Sequence, residues 1–428
     1  MKVHLRTFGC RANHYDSEMV RALAVNAGHE IVDDVSDADV AVFNSCAVTS
    51  EAERDVRKAV RRAGTRNPRL RSIVMGCAAA LPASQPGLRA LPTVAHVIPG
   101  NDVAAIGEAL GIDLRHARPP VAQSSVRALL RVQDGCDEHC TFCATTLARG
   151  ANRSRSEEEL VREASQLAEH HPEIVITGTH IGSYGADSGS SLGQLMMRLI
   201  RDVPRVRFRL SSVEATEVDD VLRELFTEPS RLAPYLHAPL QSGSDRVLRR
   251  MGRHWYTAES YGDAIELLTR DKPVFGLGAD IIVGFPGETD QDFEATVAQV
   301  ERLPFTYLHV FTYSPRPGTS ATRLADHVSL SEAQARSAHL RHLGQAKGNE
   351  YKRSRVGTNA DAVVISAAGE REAMTEDYLT LPLRGAARPR GDRFMATVRV
   401  EDDILVCHSE HSEESAVNLP ADPSLRSG

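Results

Sequence analysis

Residues 133–143 read QDGCDEHCTFC and carry three cysteines directly after a predicted β-strand: Cys136, Cys140 and Cys143, here called the first cysteine trio. Three thiolates at this spacing can hold a metal centre. Tetrahedral zinc would need a fourth ligand, and His139 is nearby. A four-iron cluster on three cysteines instead keeps one iron free of protein ligands. That iron can chelate S-adenosylmethionine (SAM), whose sulfonium is then cleaved by electron transfer. The spacing favours the cluster over zinc or chance.

Strand and helix patterns alternate around this loop, from about residue 126 to residue 330. Short apolar runs separated by amphipathic stretches predict the strands, at residues 128–132, 174–177, 206–210, 235–238, 277–283 and 306–311. Six strand–helix units predict an α/β fold that closes into a partial (β/α)6 barrel. In such folds the chemistry collects at the carboxyl ends of the strands, where the first trio lies.

Three further cysteines occupy equivalent positions near the N-terminus: Cys10, Cys46 and Cys77, here called the second cysteine trio. Each lies just past a predicted strand of a small parallel α/β domain, at residues 2–8, 40–43 and 73–75. The carboxyl ends of parallel strands share one edge of a sheet, so the three thiols are expected to converge. We interpret them as a second iron–sulfur site with one iron free. The alternative is three separately buried cysteines, which are common in protein cores.

The remainder of the chain changes character. Residues 115–125 are predicted to form a linker, and residues 329–353 a helix. Short strand patterns separated by Gly- and Arg-containing turns then predict a small β-barrel, ending near Cys407. Cys407 has no partner and is interpreted as incidental. The polar, aperiodic residues 408–428 predict a disordered tail.

Composition limits the classes of protein. The 428 residues are 42% hydrophobic and 25% charged, which excludes collagen-like and wholly disordered chains. No apolar run of about 18 residues predicts a membrane span, and the N-terminus predicts a strand and not a signal peptide, so a cytoplasmic protein is expected. A net charge of −7 argues against a general nucleic-acid coat protein. Residues 54–71 nevertheless hold eight basic residues and one acid, although a charge run is usually a solvated helix face.

Motifs along nearly the whole chain resemble those of the radical-SAM methylthiotransferases. They are TFGCRAN, NSCAVT and MGCA around the second trio, GCDEHCTFC at the first trio, and LHAPLQSGS, GFPGET and YSPRPGT further on, starting at residues 7, 44, 75, 135, 236, 284 and 313. The resemblance implies a methylthiotransferase domain at 1–114, a radical-SAM core at 126–353 and a TRAM-like, RNA-binding β-barrel at 354–407.

The same resemblance implies the cofactors and the reaction. The first trio would bind a SAM-cleaving [4Fe-4S] cluster and the second trio an auxiliary [4Fe-4S] cluster. One SAM would methylate a sulfur held on the auxiliary cluster, and a second would give the radical that abstracts hydrogen from the substrate. The methylthio group would then join adenine C2 of an anticodon-loop adenosine in tRNA. An electron donor and a sulfur source are further expected partners, and a membrane is not.

Other binding residues are predicted on weaker signals, and no acid–base catalytic residue is singled out. The candidate SAM ligands follow barrel strands, where a turn or a surface acid is the alternative: Gly178, His180, Glu214, Gln241, Ser242, Asp280 and Gly284. The candidate ligands of a substrate carboxylate or RNA phosphate are arginines, for which solvent exposure is the alternative: Arg149, Arg153, Arg155, Arg388, Arg390 and Arg393.

The family has three usual substrates. The basic residue after Cys10 and the stretch at 175–185 are most similar to the branch that acts on N6-threonylcarbamoyladenosine at position 37 of tRNA. Two departures bear on the substrate: residues 144–147 replace an Ile-Ile-Pro or Val-Val-Pro type, and Ser45 stands where Thr is common. The alternatives are isopentenyladenosine in tRNA, an aspartate of a ribosomal protein, or a non-catalytic protein that binds metal and RNA.

Overall fold

The computed structural model describes residues 1–113, 121–227, 231–366 and 371–409. A parallel sheet, a partial barrel and a small closed β-barrel follow one another along these residues. None of the helices described is long and apolar enough to cross a membrane. Most of the predicted linker, at 114–120, and most of the predicted tail, at 410–428, lie outside the described residues.

The N-terminal sheet is parallel and has the strand order β2-β1-β3-β4-β5. Its central strand β3 starts with four apolar residues and is buried along its whole length, as expected for a strand covered on both faces. The three predicted strands are confirmed, and two short edge strands were not predicted. The strands are β1 (Lys2–Thr7), β2 (Glu30–Ile31), β3 (Val40–Ser45), β4 (Arg71–Gly76) and β5 (Val94–Val97). The helices are α1 (Arg11–Asn26), α2 (Ser50–Arg66), α3 (Cys77–Ala80), α4 (Gln85–Arg89) and α5 (Val103–Ala109).

The second part is the predicted partial barrel, built from two three-stranded parallel sheets. The sheets have the orders β10-β9-β6 and β11-β12-β13, and single bridges, Phe208 to Leu232 and Ser212 to His237, join them. All six predicted strands are confirmed to within about one residue. The barrel strands are β6 (Arg127–Arg131), β9 (Glu173–Thr177), β10 (Arg207–Leu210), β11 (Tyr235–His237), β12 (Gly276–Val283) and β13 (Tyr307–Thr312).

Helices surround the barrel, and an extra hairpin follows its first strand. The hairpin strands are β7 (Gln133–Asp134) and β8 (Arg153–Ser154), and the first trio and helix α6 (Thr145–Arg149) lie between them. The outer helices are α7 (Glu157–Ala168), α8 (Leu192–Asp202), α9 (Asp220–Leu225), α10 (Asp245–Arg250), α11 (Ala258–Thr269), α12 (Asp290–Arg302) and α13 (Leu330–Ser354). Helix α13 confirms the helix predicted at 329–353.

The third part is a closed barrel with the strand order β14-β15-β16-β18-β17, which confirms the predicted β-barrel. Its strands are β14 (Asn359–Val364), β15 (Glu372–Met374), β16 (Thr380–Gly385), β17 (Arg393–Glu401) and β18 (Ile404–Ser409). Strand β16 starts only at Thr380, because Tyr378 has a φ of 75° in the turn before it. Cys407 is buried in the core of this barrel, and β18 runs two residues beyond it.

The β15–β16 turn, residues 375–379, closes the amino-terminal end of the larger barrel. Arg209 donates hydrogen bonds to the carbonyls of Thr375 and Glu376 at 3.0 and 2.9 Å. The ring of Tyr378 packs 4.5 Å from that of Tyr235, the first residue of β11. The lumen is therefore sealed at this end and open at the carboxyl ends of its strands.

Candidate metal centres and the pocket between them

Backbone hydrogen bonds fix the loop that carries the first trio. The Cys136 N–H donates to the Gly150 carbonyl at 3.0 Å, and the Thr141 N–H donates to the Met251 carbonyl at 2.8 Å. Gly135, just before the trio, has a φ of 77°, and an added Cβ would clash with the Ala151 carbonyl. Only glycine fits this position without strain. The loop is thus held in one conformation before any metal binds.

Buried polar side chains approach the sulfurs of the first trio. Arg253 Nη1 donates to Cys140 Sγ at 3.4 Å, and Glu214 and Tyr256 hold the same guanidinium. Burial raises the pKa of the Cys140 thiol to about 12, and the nearby Arg253 opposes this shift only in part. Loading a metal would therefore release a proton from this thiol.

A histidine stands beside another sulfur of this trio. His180 Nδ1 lies 3.7 Å from Cys136 Sγ, and its Nε2 lies 2.7 Å from a carboxylate oxygen of Glu217. Burial lowers the pKa of His180, but the bonds to Cys136 and Glu217 outweigh burial and raise it to about 11. His180 therefore places a positive charge beside this sulfur.

The second trio lies at the carboxyl ends of β1, β3 and β4, where the sequence predicted it. The side chain of Asn13 in α1 donates at 2.9 Å to the carbonyls of Phe8 and Ser45, which ties the loops of Cys10 and Cys46 together. An added Cβ on Gly9 would lie 2.6 Å from Cys46 Sγ. The loops of Cys10 and Cys46 are therefore in direct contact.

Burial and neighbouring thiols raise the pKa values of two cysteines of the second trio. Burial raises the pKa of Cys46, and the charge of Cys10 adds to the effect. Burial raises the pKa of Cys77 to about 11, with contributions from Cys10 and Cys46, against the opposing charge of Arg149. Interactions of this kind require the three sulfurs to share one small region of the sheet edge.

Neither trio has the spacing of a single-ion site. Among the described residues, the ligand atoms that lie within 4.8 Å of one another belong to His237, Asp280 and His309, and to neither cysteine trio. A tetrahedral zinc with bonds of about 2.3 Å would hold its sulfurs about 3.8 Å apart. An iron–sulfur cube binds each thiolate to a different iron and spreads the sulfurs more widely. In each trio at least one pair of sulfurs is therefore more than 4.8 Å apart.

One short helix separates the two trios. Helix α6 begins two residues after Cys143. Its N-cap Ala144 and its Ala148 pack against Ala47 and Ala78, the neighbours of two cysteines of the second trio. Alanine allows close approach of the backbones. A five-residue helix is about 7.5 Å long, so the two sites are near neighbours.

A buried ionic network joins the two domains at the same place. Arg149, the last residue of α6, donates from Nη2 to Asp16 at 2.8 Å and from Nη1 to Asp134 at 2.9 Å. Its Nε donates to Cys77 Sγ at 3.3 Å. Arg131 also pairs with Asp16. Two arginines and two aspartates thus bind the loop of the first trio to the domain of the second.

A cavity of about 230 Å³ is lined by residues that lie within two positions of a cysteine of each trio, Val48 and Phe142. Its walls combine aromatic rings and aliphatic side chains with hydroxyl and amide groups, which suits an adenine and a ribose. Residues of the N-terminal domain, the first-trio loop and the barrel strands all line it: Val48, Thr49, Phe142, Gln241, Asp280, Ile282, Phe311, Thr312, Tyr313 and Ser314.

Asp280, which lines this cavity, is bonded to two histidines that the sequence did not single out. Asp280 accepts hydrogen bonds from His237 Nε2 at 3.0 Å and His309 Nδ1 at 3.2 Å. His237 Nδ1 lies 2.8 Å from the Tyr307 hydroxyl. Burial alone would raise the pKa of Asp280, but the two histidines outweigh it and hold the pKa well below the ordinary value. The alternation of side chains along β11, β12 and β13 was the signal that could have found the two histidines, because they lie on the same face of this sheet as Asp280.

Comparison with known proteins assigns the chain to a family. Residues 2–98 match the uncharacterized protein family UPF0004, and residues 130–300 match the radical SAM superfamily. A threonylcarbamoyladenosine tRNA methylthiotransferase (MtaB) of Thermotoga maritima is 36% identical over 98% of this chain and 97% of its own length. The protein of the same name from Aquifex aeolicus is 33% identical over 90% and 97%. The chain belongs to the radical-SAM methylthiotransferases.

A solved structure supports the fold of this methylthiotransferase. The radical-SAM methyltransferase TsrM from Kitasatospora setae, solved with cobalamin and a [4Fe-4S] cluster, has a TM-score of 0.55 and 13% identity over 75% of this chain and 76% of its own. The similarity concerns the fold alone. Membership of the family gives the methylthiotransferase an iron–sulfur cluster and SAM as cofactors.

The predicted SAM ligands of the methylthiotransferase fall into two groups. Gln241 and Asp280 line the cavity, and His180 and Glu214 lie beside the first trio. The other three, Gly178, Ser242 and Gly284, pack against neighbouring parts of the chain and do not line the cavity. An added Cβ on Gly178 would lie 2.7 Å from the Gln133 carbonyl, Ser242 is buried against α12, and Gly284 packs against α13. Both oxygens of Glu214 are engaged, by Arg253 and Trp255.

The predicted substrate arginines are mostly committed to internal partners. Arg149 is buried in the ionic network, and Arg155 pairs with Glu163 at 2.8 Å. In the small barrel Arg388 pairs with Asp392 and Arg393 with Asp361. Arg153 and Arg390 are exposed. The guanidiniums that flank the first-trio loop therefore act mainly in joining the domains.

Proposed function

We propose that this chain inserts a methylthio group at C2 of the adenine of N6-threonylcarbamoyladenosine, at position 37 of tRNA. Its relatives from Thermotoga maritima and Aquifex aeolicus carry that substrate in their names and match nearly its whole length. The observation that carries the proposal is one cavity lined by chain neighbours of both cysteine trios, whose loops pack together at α6. Two metal centres that act on one substrate need this proximity.

We assign a [4Fe-4S] cluster to each trio. The donor atoms fit, because each site offers three thiols and no single-ion spacing. A buried donor also fits. Arg316 Nε has no hydrogen-bond partner among the described residues. The charge of Arg316 also opposes the burial that raises the pKa of Cys46, so the two side chains lie close together. Such a donor matches a sulfur-bearing anion at this place. Bound there, the clusters supply reductive cleavage of SAM and the sulfur for transfer, fed by an external electron donor and a sulfur source.

The chain's own residues bind, orient and exclude water. The Gly135 turn and the bond from Thr141 fix the first trio, and Arg253 donates to one of its sulfurs. Gln241 and Asp280 present polar atoms to a nucleoside in the cavity. Acid–base catalysis cannot break an unactivated aromatic C–H bond, so the reaction requires a radical. The aromatic walls of the cavity keep water away from that radical.

The test is mass spectrometry of nucleosides from a strain that lacks the gene, with and without complementation. We expect 2-methylthio-N6-threonylcarbamoyladenosine to be lost when the gene is deleted and to return when the wild-type gene is restored. Retention of that nucleoside would overturn the substrate assignment. Loss of the isopentenyl derivative, or of a methylthio group on a ribosomal protein, would identify one of the two other branches. Zinc without iron in anaerobically purified protein would instead indicate the non-catalytic alternative.

A further inference from the structure

Helix α2 carries four cations on its exposed face: Arg54, Lys58, Arg61 and Arg62, here called the α2 cation stripe. Their spacing of four, seven and eight residues from Arg54 puts them on one side of a helix. The opposite side is apolar and buries Val56, Ala59, Val60 and Ala63 against the sheet. The stripe is therefore turned outward along its whole length.

The stripe has no acidic partner within the described part of the chain. Its neighbours on the helix do: Arg57 pairs with Glu53, and Arg66 pairs with Asp34 at 2.9 Å. None of the four stripe residues forms an ion pair or a side-chain hydrogen bond with the residues described. The exposed acids Glu51 and Asp55 lie on the same face, so the four cations leave it with a net positive charge, which attracts an anionic partner.

The stripe starts at the cavity. Val48 and Thr49 line the cavity, and Thr49 caps the N-terminus of α2 by accepting from the Ala52 N–H. Arg316 fixes this end through Ser50 and Glu53, each at 3.2 Å. At about 1.5 Å per residue, Arg54 lies about 8 Å from Thr49 along the helix axis, and the stripe extends about 12 Å further.

The small β-barrel offers less positive charge. Its described residues, 359–366 and 371–409, contain six arginines and eight aspartates and glutamates. Two of those arginines, Arg388 and Arg393, are held by acids of the same barrel. The net charge of these residues is therefore negative, so the barrel as a whole attracts RNA phosphates less than the stripe does.

We propose that the α2 cation stripe binds the phosphates of the RNA strand whose target base occupies the cavity. This inference rests on the proposed function. A stripe about 12 Å long matches three to four phosphates of a stacked strand, at about 3.4 Å each. RNA is favoured over a protein partner because this face has an excess of cations and no exposed apolar side chains among them, and protein interfaces need an apolar centre.

The test compares two variants that lose the same charge. R54Q/K58Q/R62Q removes three cations of the stripe. R162Q/R205Q/R270Q removes three exposed arginines from the outside of the barrel. Each anaerobically reconstituted protein is titrated with unmodified tRNA between about 0.05 and 0.4 M salt, a range in which phosphate contacts dominate the change in affinity. Iron content and SAM cleavage without RNA are measured as checks of integrity, and we expect both to equal wild type in both variants.

We expect the stripe variant to bind tRNA about 10- to 100-fold more weakly at about 0.1 M salt, with a salt dependence shallower by about two in log–log slope. The control variant should stay within about threefold of wild type. Equal affinities for the two variants would overturn the stripe assignment while the function stands, provided that wild type modifies tRNA. A wild-type protein that neither binds nor modifies tRNA would overturn both. Selective loss of binding to a ribosomal protein would replace RNA by protein as the partner.

Discussion

Arg149 Nε donates a hydrogen bond to Cys77 Sγ at 3.3 Å, across the boundary between the two cysteine-bearing domains. The arginine belongs to α6, which follows the first trio, whereas the sulfur belongs to the second trio. The remaining nitrogens of Arg149 bond Asn13, Asp16 and Asp134, so the guanidinium is fully satisfied. One side chain therefore connects both candidate metal sites.

Replacing Arg149 by lysine should lower the reduction potential of the centre at the second trio. A donor to a cysteine sulfur stabilises the reduced, more negative state. Loss of a hydrogen bond worth about 1.5 kcal/mol corresponds to about 60 mV for one electron. EPR-monitored redox titration measures the shift. The control is R153K, since the side chain of Arg153 is 61% exposed. Equal potentials in R149K and wild type would contradict the role given to this bond.

Gly9 and Gly28 form a matched pair for testing the second trio. Both have positive φ, 97° and 77°, but a Cβ on Gly9 would lie 2.6 Å from Cys46 Sγ, whereas one on Gly28 would meet nothing within 4 Å. Each alanine variant should lose about 1–2 kcal/mol of stability from backbone strain. Only G9A should also lose about half of the iron after anaerobic reconstitution. Full iron in G9A would argue against a cluster at this site.

Three cysteine variants separate the two sites by iron content. Wild type should bind about eight irons per chain, and C140A and C77A about four each. C140A should abolish formation of 5′-deoxyadenosine, because Cys140 belongs to the SAM-cleaving site. C407A should keep all the iron, since Cys407 packs in the core of the small barrel. Unchanged 5′-deoxyadenosine production in C140A would refute the assignment of the first trio.

The depressed pKa of Asp280 should make the unfolding free energy of the chain depend on pH in the acid range. Its pKa is depressed by His237 and His309, so the ionised carboxylate stabilises the fold above its unfolded pKa of about 3.9. That contribution is lost as pH falls toward the folded pKa. The difference in unfolding free energy between wild type and D280N should be constant above about pH 5 and shrink below about pH 4.

Urea unfolding of the metal-free chain at a series of pH values measures this difference. D263N is the control, because Asp263 lies on an exposed helix face and its pair with Arg302 is solvent-screened. A difference between wild type and D280N that grows as pH falls would contradict a depressed pKa for Asp280 in the folded chain.

The sequence predicted the six barrel strands, the closed C-terminal barrel and the strand-end position of each cysteine of the second trio. These features depend on local periodicity and on the rule that parallel strands end at one edge. The short strands β2, β5 and β15 escaped prediction, since two to four residues carry no usable period. Arg149 illustrates the limit at the site: the sequence predicted a substrate cation, and the fold gives it four internal partners.

By itself, the sequence determined which residues carry sulfur, where the strands end and which family the motifs resemble. Only the tertiary structure decided that α6 holds the two trios close together, that His237 and His309 meet at Asp280, and that the stripe on α2 starts at the cavity. Contacts between residues far apart in the chain depend on how whole domains pack, and no local pattern of side chains encodes that packing.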